Sequence, residues 1–415
     1  MSKIGIIGGG IIGLNSAYYL QKSGHEVTVI DQSDLSDGCS YGNAGMIVPS
    51  HFIPLAAPGM IAKGIRWMFN SSSPFYVKPR FDFNLLKWGY QFYKNSNQDH
   101  VTKSAIALKE ISLLSKTMYQ QLTKELPFDF NYHERGLMML YKTREAEHEE
   151  RETAEMANEY GIDARILSQE EVQSLEPEVK VDVQGGIYFP GDAHLTPQAL
   201  MAGLKGFLKD KVAFHLNTEV TGFDMENAKI KTIKTAKGDF TFDVIVIACG
   251  SWSSLVSRKL NLNLPMQAGK GYSFTLPEVA KNIRIPSILL EGRVAVTPMG
   301  NSLRFGGTME ITGIDHSINM HRVKGIVNTI SDFYPEMEVK IPSVEKVWHG
   351  LRPCSPDGMP YIGRTKKFEN LILATGHSML GVSLAPGTGK LISEIVDEKK
   401  PSADLIMYSP ERFHR

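Results

Sequence analysis

The sequence predicts an α/β fold in which a largely parallel sheet is assembled from both ends of the chain, with a second, β-rich α+β region inserted between them. Three observations predict it. The chain begins with an apolar strand, a glycine-rich turn and a helix; it returns to an apolar strand at residues 243–250; and it closes with a strand, a loop and a helix at residues 370–396. Apolar strands without alternation are typical of parallel sheets covered on both faces. The 415 residues are also enough for two domains of ordinary size.

The first unit of this fold has the spacing of a dinucleotide clamp. After the strand at residues 3–7, Gly8, Gly10 and Gly13 fill a G-x-G-x-x-G pattern. These glycines permit a tight turn, close approach of the backbone to a pyrophosphate and close packing of helix on strand, with the pyrophosphate at the helix N-terminus. A second strand ends at Asp31, where a carboxylate can accept hydrogen bonds from a ribose. We therefore predict a Rossmann-like dinucleotide-binding domain.

Composition excludes several functional classes. Lys and Arg together number 45, as do Asp and Glu, so no overall field favours nucleic acid, and we predict no nucleic-acid partner. Cys39, Cys249 and Cys354 are widely separated, which argues against a disulfide framework and a structural zinc site, and we predict no bound metal. A reducing, cytoplasmic location follows, and no apolar run is long enough to cross a bilayer.

The middle of the chain shows alternating helical and strand patterns. A stretch of small residues at 38–45 allows the backbone to run close to a ligand. Apolar periodicity predicts a helix at about residues 102–125, and a strongly charged stretch predicts another at about 144–160. Thr196 and Pro197 have the residue types of a helix N-cap and first helical position. Strands are predicted at residues 136–141, 186–189, 212–216, 218–223 and, within a β-rich segment, at 266–305.

The C-terminal unit favours FAD over a shorter dinucleotide. Its strand ends near Thr375, a loop follows, and a helix is predicted from about Ser383, with Pro386 in its first turn. A helix N-terminus near Gly381 would present partial positive charge to the pyrimidine side of an isoalloxazine, which stabilises the anion formed on reduction. Contacts near Cys249 as well would hold a long, extended ligand from several directions.

The whole chain resembles the flavin-dependent family that contains D-amino-acid oxidase, glycine oxidase and sarcosine oxidase, and within it is most similar to bacterial D-amino-acid dehydrogenases. The motifs that carry the resemblance span nearly the full length: residues 8–13, 40–45, 242–253, 270–273, 350–353, 356–358 and 374–386. The resemblance implies a glutathione-reductase-type FAD-binding domain formed by residues 1–55, 144–262 and 346–405. Residues 56–143 and 263–345 would form the substrate domain.

The resemblance also implies how FAD is held. The position of the cysteine that tethers flavin in sarcosine oxidases is Gly350 here, and Cys354 lies four residues away, so we expect non-covalent FAD. Val220 would meet the adenine side through its backbone. The implied cofactor-binding residues are Gly8, Gly10, Ile11, Ile12, Gly13, Asp31, Gln32, Ser40, Asn43, Ala44, Gly45, Met46, Ile47, Val220, Cys249, Gly250, Trp252, Gly376, His377, Leu380, Gly381, Val382 and Ser383.

The implied reaction is oxidative deamination of a D-amino acid to a 2-oxo acid and ammonia, by hydride transfer from Cα to flavin N5. Arg352 is our candidate for the substrate carboxylate, because a guanidinium gives planar bidentate recognition. Tyr272 would donate its hydroxyl to the same carboxylate. His377, a flavin-loop residue, and His51, a candidate substrate contact, could each accept a proton or hydrogen-bond the amine near neutral pH.

Several alternatives remain open. Electrons would pass to a quinone or another carrier, but an oxygen-using oxidase and a dehydrogenase of D-proline or hydroxy-D-proline have the same motifs. Glycine oxidases carry Arg where this chain has Met379, which weakens that assignment. A non-catalytic flavin-binding module would lack a usable Arg352 and Tyr272, and both are present.

One block has two interpretations. Residues 60–95 contain ten aromatic and six basic residues. They form either the core of the substrate domain with a solvated rim or a peripheral contact with the inner face of a membrane, beside a quinone pool. The residues concerned are Trp67, Phe69, Phe75, Tyr76, Trp88, Tyr90, Phe92 and Tyr93, with Lys63, Arg66 and Lys87 among the bases.

Overall fold

The computed structural model describes residues 1–60 and 75–413. The helices of the described residues are α1 (Ile11–Lys22), α2 (Phe83–Asn95), α3 (Gln98–Glu125), α4 (Arg144–Glu159), α5 (Gln169–Leu175), α6 (Pro197–Leu208), α7 (Ser253–Arg258), α8 (Met320–Phe333) and α9 (Gly381–Val396). The strands are β1 (Lys3–Ile7), β2 (Glu26–Ile30), β3 (Met46–Ile47), β4 (Phe75–Val77), β5 (Leu137–Tyr141), β6 (Arg165–Ser168), β7 (Gly185–Phe189), β8 (Ala193–His194), β9 (Ala213–His215), β10 (Val220–Glu226), β11 (Lys229–Thr235), β12 (Gly238–Phe240), β13 (Val244–Ile247), β14 (Gln267–Leu276), β15 (Ser287–Leu289), β16 (Val294–Met299), β17 (Ser302–Ile311), β18 (Trp348–Cys354), β19 (Tyr361–Arg364) and β20 (Leu371–Thr375).

The predicted sheet from both chain ends is confirmed. Its six strands run in the order β19-β20-β13-β1-β2-β9, and all neighbours are parallel except β19 and β20. The central strand β1 is apolar and buried, since both faces of the sheet are covered. On one face α1, α3, α6 and α9 bury a common apolar core. The carboxyl ends of β1, β2 and β13 lie together at one edge, where doubly wound sheets bind ligands.

The inserted β-rich region is a second, nine-stranded sheet. Its main path runs β18-β14-β17-β16-β15-β5-β7-β6, and β4 pairs with β17. Helix α8 packs on one face of this sheet and closes an apolar core there. Two smaller sheets, β10-β11-β12 and β3-β8, complete the described strands.

Three segments pack differently from the predicted domain division. Helix α3, expected in the substrate domain, buries Leu108 and Ile111 in the core of α1 and α9. Strands β6 and β7 were assigned to the FAD-binding domain but pair with β5, and β18 pairs with β14. The periodicity of α3 predicts one apolar face correctly, but it does not specify the element against which that face packs.

Helix α9 begins at Gly381, so Pro386 lies in its second turn and not in its first. A proline there cannot donate to the carbonyl four residues earlier. That carbonyl, of Val382, accepts a hydrogen bond from the Tyr119 hydroxyl at 2.6 Å. The Ser115 hydroxyl likewise donates to the Ser383 carbonyl at 2.6 Å. Helix α3 therefore provides the donors that α9 lacks at this proline.

The block of residues 60–95 divides between core and surface. Lys63, Arg66, Trp67 and Phe69 lie outside the described residues. Trp88 stacks on Phe92 with ring centroids 5.2 Å apart and packs with β17 in a small core, as one interpretation expects. The opposite face of α2 is exposed and carries Phe83, Leu86, Tyr90 and Tyr93. Among residues 1–60 and 75–413, no helix is both long and apolar enough to span a bilayer.

Candidate active site

A cavity of about 890 Å³ is lined by residues of both large sheets. The six-stranded sheet contributes the glycine-rich turn, the end of β2 and the turn after β13. The nine-stranded sheet contributes Tyr272, Thr308 and Arg352, and the loop before α9 covers a further wall. A long ligand in this cavity would therefore contact the dinucleotide clamp at one end and the inserted sheet at the other.

The three glycines of the clamp have separate roles. A Cβ on Gly13 would lie 1.9 Å from the Gly8 carbonyl oxygen, so Gly13 allows α1 to pack on β1. Gly8 has a φ of +106° and lies against the backbone of Ala248. Of the atoms of residues 1–60 and 75–413, a Cβ on Gly10 would meet only the Ser40 hydroxyl oxygen, at 3.8 Å, and would otherwise project into open space. Since Gly10 lines the cavity, a side chain there would occupy space for the ligand and leave the packing of the protein unchanged.

Two helix N-termini face the cavity without capping side chains on their N-cap residues. Helix α1 begins after Gly10, and helix α9 after Leu380, and neither N-cap makes a side-chain hydrogen bond. The Ile11 amide donates to the Ser40 hydroxyl at 3.1 Å. Free amide groups at helix N-termini bind anions, as the pyrophosphate and the reduced pyrimidine ring of a flavin require.

Asp31 organises the glycine-rich turn. Its Oδ2 accepts from the Gly9 amide at 2.6 Å, and its Oδ1 accepts from the Ser33 amide at 2.8 Å. It lines the cavity beside Gln32, as a ribose ligand would require. Further along the wall, the Val220 carbonyl accepts from Lys259 Nζ at 2.6 Å, and the contact of the Val220 backbone with an adenine stays a prediction.

The segment of residues 40–45 is anchored by the inserted sheet. Arg304, on β17, donates to the carbonyls of Tyr41 and Asn43, both at 2.8 Å. The Asn43 amide group in turn reaches the Met379 carbonyl at 3.4 Å, which ties this segment to the loop before α9. Sequence reasoning missed Arg304, because its role depends on a contact across more than 250 residues.

Most predicted cofactor residues line the cavity, and five lie behind it: Gly13, Gly45, Ile47, Gly376 and Ser383. Gly45 and Gly376 have φ values of +73° and +81°, so they form turns that shape the wall. Ile47 is fully buried, and the Ser383 hydroxyl accepts from the Val48 amide at 3.0 Å. They lie behind the lining and support it, and their contact with the cofactor stays a prediction.

Arg352 places a guanidinium in the cavity without an acidic partner among the described residues. Among the described residues, its side chain makes one hydrogen bond, to the Thr308 carbonyl oxygen, 2.6 Å from Nη1. The guanidinium lies over Gly271, where a Cβ would approach Nη2 to 2.2 Å. Burial lowers the pKa of the Arg352 guanidinium, but an arginine remains charged. An enclosed cation without a counter-ion is costly, and a ligand carboxylate would neutralise it.

Tyr272 lines the cavity, but its hydroxyl is already engaged. It donates to Glu310 Oε2 at 2.6 Å and accepts from the Asn319 amide at 3.2 Å. Glu310 also pairs with Arg322 and lies 3.6 Å from Lys270 Nζ. Burial and the adjacent Glu310 carboxylate raise the pKa of Tyr272. Its predicted contact with a substrate carboxylate stays a prediction that requires this hydrogen bond to be exchanged.

His377 is unsuited to accept a proton near neutral pH. Its Nε2 lies 3.0 Å from the Thr388 hydroxyl, and burial lowers the pKa of His377 to about 3. The imidazole is therefore neutral at physiological pH. Of the two roles expected for His377, the one in the wall of the flavin loop agrees with its place in the lining.

His51 also lines the cavity and is linked to a buried carboxyl. Its Nδ1 lies 3.1 Å from the Ser50 hydroxyl, which donates to Asp192 Oδ2. Burial, with the positive charge of Arg293, lowers the pKa of His51 to about 4. Burial raises the pKa of Asp192 to about 7. Strands β3 and β8 pair with each other and bring Ser50 next to Asp192.

Sequence reasoning missed other lining residues, notably Arg293 and Thr308. Thr308 has a φ of +65°, unusual for a β-branched residue, and lies where the register of β14 and β17 shifts. This conformation directs its carbonyl to Arg352. A register shift between strands depends on tertiary pairing, so no local signal could have found it.

These observations fit FAD. The open space at Gly10, the two helix N-termini that face the cavity and the Asp31 carboxylate suit a pyrophosphate, an isoalloxazine and a ribose in one continuous cavity. The cavity reaches Arg352, where an acid substrate would be held beside the cofactor.

Comparisons with known proteins agree with this geometry. A profile of the family described as DAO, FAD dependent oxidoreductase, matches residues 3–395. A D-amino acid dehydrogenase of Neisseria meningitidis serogroup C is 33% identical over 405 residues, covering 96% of each chain. A D-amino acid dehydrogenase of Bradyrhizobium diazoefficiens is 30% identical over 424 residues, covering 100% of this chain and 99% of its own. Among solved structures, glycine oxidase from Geobacillus kaustophilus has a TM-score of 0.80 at 23% identity over 99% of both chains, which shows a shared fold.

Proposed function

Since the chain belongs to the DAO family of FAD-dependent oxidoreductases, we propose that it is a D-amino-acid dehydrogenase that converts D-amino acids to 2-oxo acids and ammonia. The observation that carries the proposal is the Arg352 guanidinium, which lines the cavity without an acidic partner among residues 1–60 and 75–413. The carboxylate of an α-amino acid would pair with this guanidinium. Because Cα is bonded to that carboxylate, binding the carboxylate also restricts the position of Cα. The full-length relatives named D-amino acid dehydrogenase support this substrate class.

The residues of the chain orient the substrate, and the cofactor supplies the redox chemistry. Arg352 holds the carboxylate and so restricts the position of Cα, which accounts for much of the advantage of a bound reactant. FAD, when bound, accepts the hydride from Cα. The resulting imino acid then hydrolyses to the 2-oxo acid and ammonia.

Anaerobic bleaching of the flavin tests the proposal. Mixing the purified holoenzyme with single D-amino acids, the cyclic ones included, is expected to remove the visible flavin band, whereas the L-enantiomers leave it in place. Admitting air and measuring oxygen consumption then separates an oxidase from a dehydrogenase. A flavin that no D-amino acid bleaches contradicts the proposed activity.

We propose that the electron acceptor is a membrane quinone, which the protein reaches by binding peripherally to the membrane surface. On α2, Phe83, Leu86, Tyr90 and Tyr93 follow each other at spacings of three and four residues and form one exposed stripe. Lys87 and Lys94 on the same helix are cations that suit an anionic lipid surface. The cavity lining includes Met60 and Phe75, two described residues that precede α2 in the chain.

Replacing the apolar stripe is expected to weaken lipid binding without loss of dye-linked activity. Leu86→Glu places a charge among residues that would enter the headgroup region, so cosedimentation with anionic vesicles at low salt should fall. Ile406→Glu, which alters another exposed apolar residue, is the matched control. Wild-type binding should weaken as salt rises, because screening reduces attraction to the lipids. If wild-type protein does not bind vesicles at low salt, the proposed membrane contact is wrong.

A further inference from the structure

His51, Ser50 and Asp192 form a hydrogen-bonded chain that begins in the wall of the cavity and ends at a buried carboxyl. His51 Nδ1 lies 3.1 Å from Ser50 Oγ, and the Ser50 hydroxyl donates to Asp192 Oδ2. Asp192 is 1% exposed, and its Oδ1 accepts from the Ser50 amide at 3.1 Å. His51 Nε2 has no hydrogen-bond partner among the described residues.

The donors and acceptors of this chain determine the tautomer of His51. When Asp192 is ionised it can only accept, so the Ser50 hydroxyl donates to it. The Ser50 oxygen then accepts from His51 Nδ1–H. A neutral imidazole with its proton on Nδ1 has a lone pair on Nε2. The chain thereby leaves a proton acceptor on the residue that lines the cavity.

We propose that His51, Ser50 and Asp192 are a proton relay that deprotonates the ammonium group of the bound amino acid before hydride transfer. This inference rests on the proposed function. The ammonium proton passes to His51 Nε2, the Nδ1 proton passes to Ser50 Oγ, and the Ser50 hydroxyl proton passes to the Asp192 carboxylate. The substrate keeps the nitrogen lone pair, which forms the C=N bond when Cα–H leaves with its electron pair to the flavin. The proton returns by the reverse transfers once product has left.

Burial favours a proton on Asp192, and the nearby Lys116 cation only partly opposes it. Asp192 is near Lys116, whose Nζ donates to the Gly191 carbonyl at 2.8 Å and lies 3.6 Å from Glu134. Arg293 faces His51 and disfavours a stable imidazolium. Burial holds the pKa of Asp192 near 7, so its carboxylate accepts a proton readily around neutral pH. A concerted transfer needs no stable charge on His51, whose pKa is lowered to about 4.

The test measures the rate constant of anaerobic flavin reduction against pH, with saturating D-amino acid and equal FAD content. In the wild type the rate constant should rise with pH through about 7, because Asp192 must be ionised to accept the proton. Asp192→Asn should reduce the rate constant at neutral pH by about 100-fold, the usual order for loss of general base catalysis. The two profiles should converge at alkaline pH, where the substrate ammonium loses its proton unaided.

Matched variants separate the relay from a structural effect. Glu176→Gln is the matched control, because it removes another buried carboxyl whose pKa is raised to about 7. The Glu176 carboxylate accepts from the Arg284 and Ile285 amides, outside the cavity lining. The pH profile of Glu176→Gln should therefore follow that of the wild type. Ser50→Ala interrupts the same hydrogen-bonded chain, so it should show the pH profile expected for Asp192→Asn, and it provides the test if Asp192→Asn does not fold. Ser50→Thr keeps a hydroxyl and should restore the rate constant of the wild type.

The outcomes are distinguishable. If the wild-type flavin is bleached but Ser50→Ala and any folded Asp192→Asn superimpose on the wild-type profile, the relay is overturned and the proposed function stands. If no D-amino acid bleaches the wild-type flavin, both fail. A Glu176→Gln profile shifted as far as that of Asp192→Asn also overturns the relay, since the effect would then be general to buried carboxyls.

Discussion

Arg352→Ala is expected to lower kcat/KM for D-amino acids by roughly two to four orders of magnitude, mostly through KM, and to leave FAD bound. Breaking a buried ion pair by removing one partner costs about 3–5 kcal/mol, and each 1.4 kcal/mol is roughly tenfold. Arg352→Lys keeps the charge but loses the planar fork, so it should recover only part of the loss. Steady-state kinetics with an artificial dye measures kcat and KM, and the flavin spectrum measures the bound FAD.

The neighbours of Arg352 sharpen this experiment. Gly271→Ala would place a methyl group against the guanidinium, 2.2 Å from Nη2, so it should raise KM although it changes no charge. Tyr272→Phe should act in the same direction but more weakly, because the hydroxyl is bound to Glu310. Arg364→Ala is the matched control, since Arg364 binds the Glu369 and Ile395 carbonyls away from the cavity lining.

The result also decides between two arginines. Arg293 lines the same cavity, and no acidic side chain among the described residues forms an ion pair with it. If Arg293→Ala raises KM strongly and Arg352→Ala does not, the substrate carboxylate lies at Arg293, and our assignment of Arg352 is wrong.

Local patterns were sufficient for the sheet that binds the cofactor. The spacing of Gly8, Gly10 and Gly13 predicts the turn, the ligand site and the packing of the helix together. Gly8 permits the tight turn, Gly10 permits close approach of a pyrophosphate, and Gly13 permits α1 to pack on β1. Runs of apolar residues predict strands β13 and β20. The predicted fold class places both strands in one sheet with β1, as the structure shows. These features depend on short stretches of chain.

The substrate side of the cavity depends on contacts between distant segments, which a single sequence does not encode locally. The carbonyl bound by Arg352 belongs to Thr308, at a register shift that exists only when β14 and β17 pair. Tyr272 was predicted on a strand, but its bond to Glu310 across the sheet was not. Asp192 meets Ser50 across 142 residues. Even the apolar face of α3 was predicted without the core that it enters.

Gly10→Val is expected to yield a folded protein that does not take up FAD. In the described part of the chain, the only atom within 4 Å of a Cβ on Gly10 is the Ser40 hydroxyl oxygen, at 3.8 Å. The branched side chain would therefore enter the cavity and block approach of a pyrophosphate to the helix N-terminus. Gly10 has a φ of −66°, which a valine can adopt. The purified variant should be colourless, whereas acid precipitation of the wild type should release its yellow flavin into the supernatant, as non-covalent binding requires.

Thermal unfolding separates loss of the ligand from loss of the fold. A ligand that binds only the native state stabilises it, so wild-type protein stripped of FAD should have a lower Tm than the holoenzyme and regain it when FAD is added. Gly10→Val should unfold near the Tm of the stripped wild type and show no increase with added FAD. Gly206→Val, at an exposed glycine of α6 with equally open surroundings, should bind FAD normally. A yellow Gly10→Val protein with the Tm of the holoenzyme would place the pyrophosphate elsewhere in the cavity.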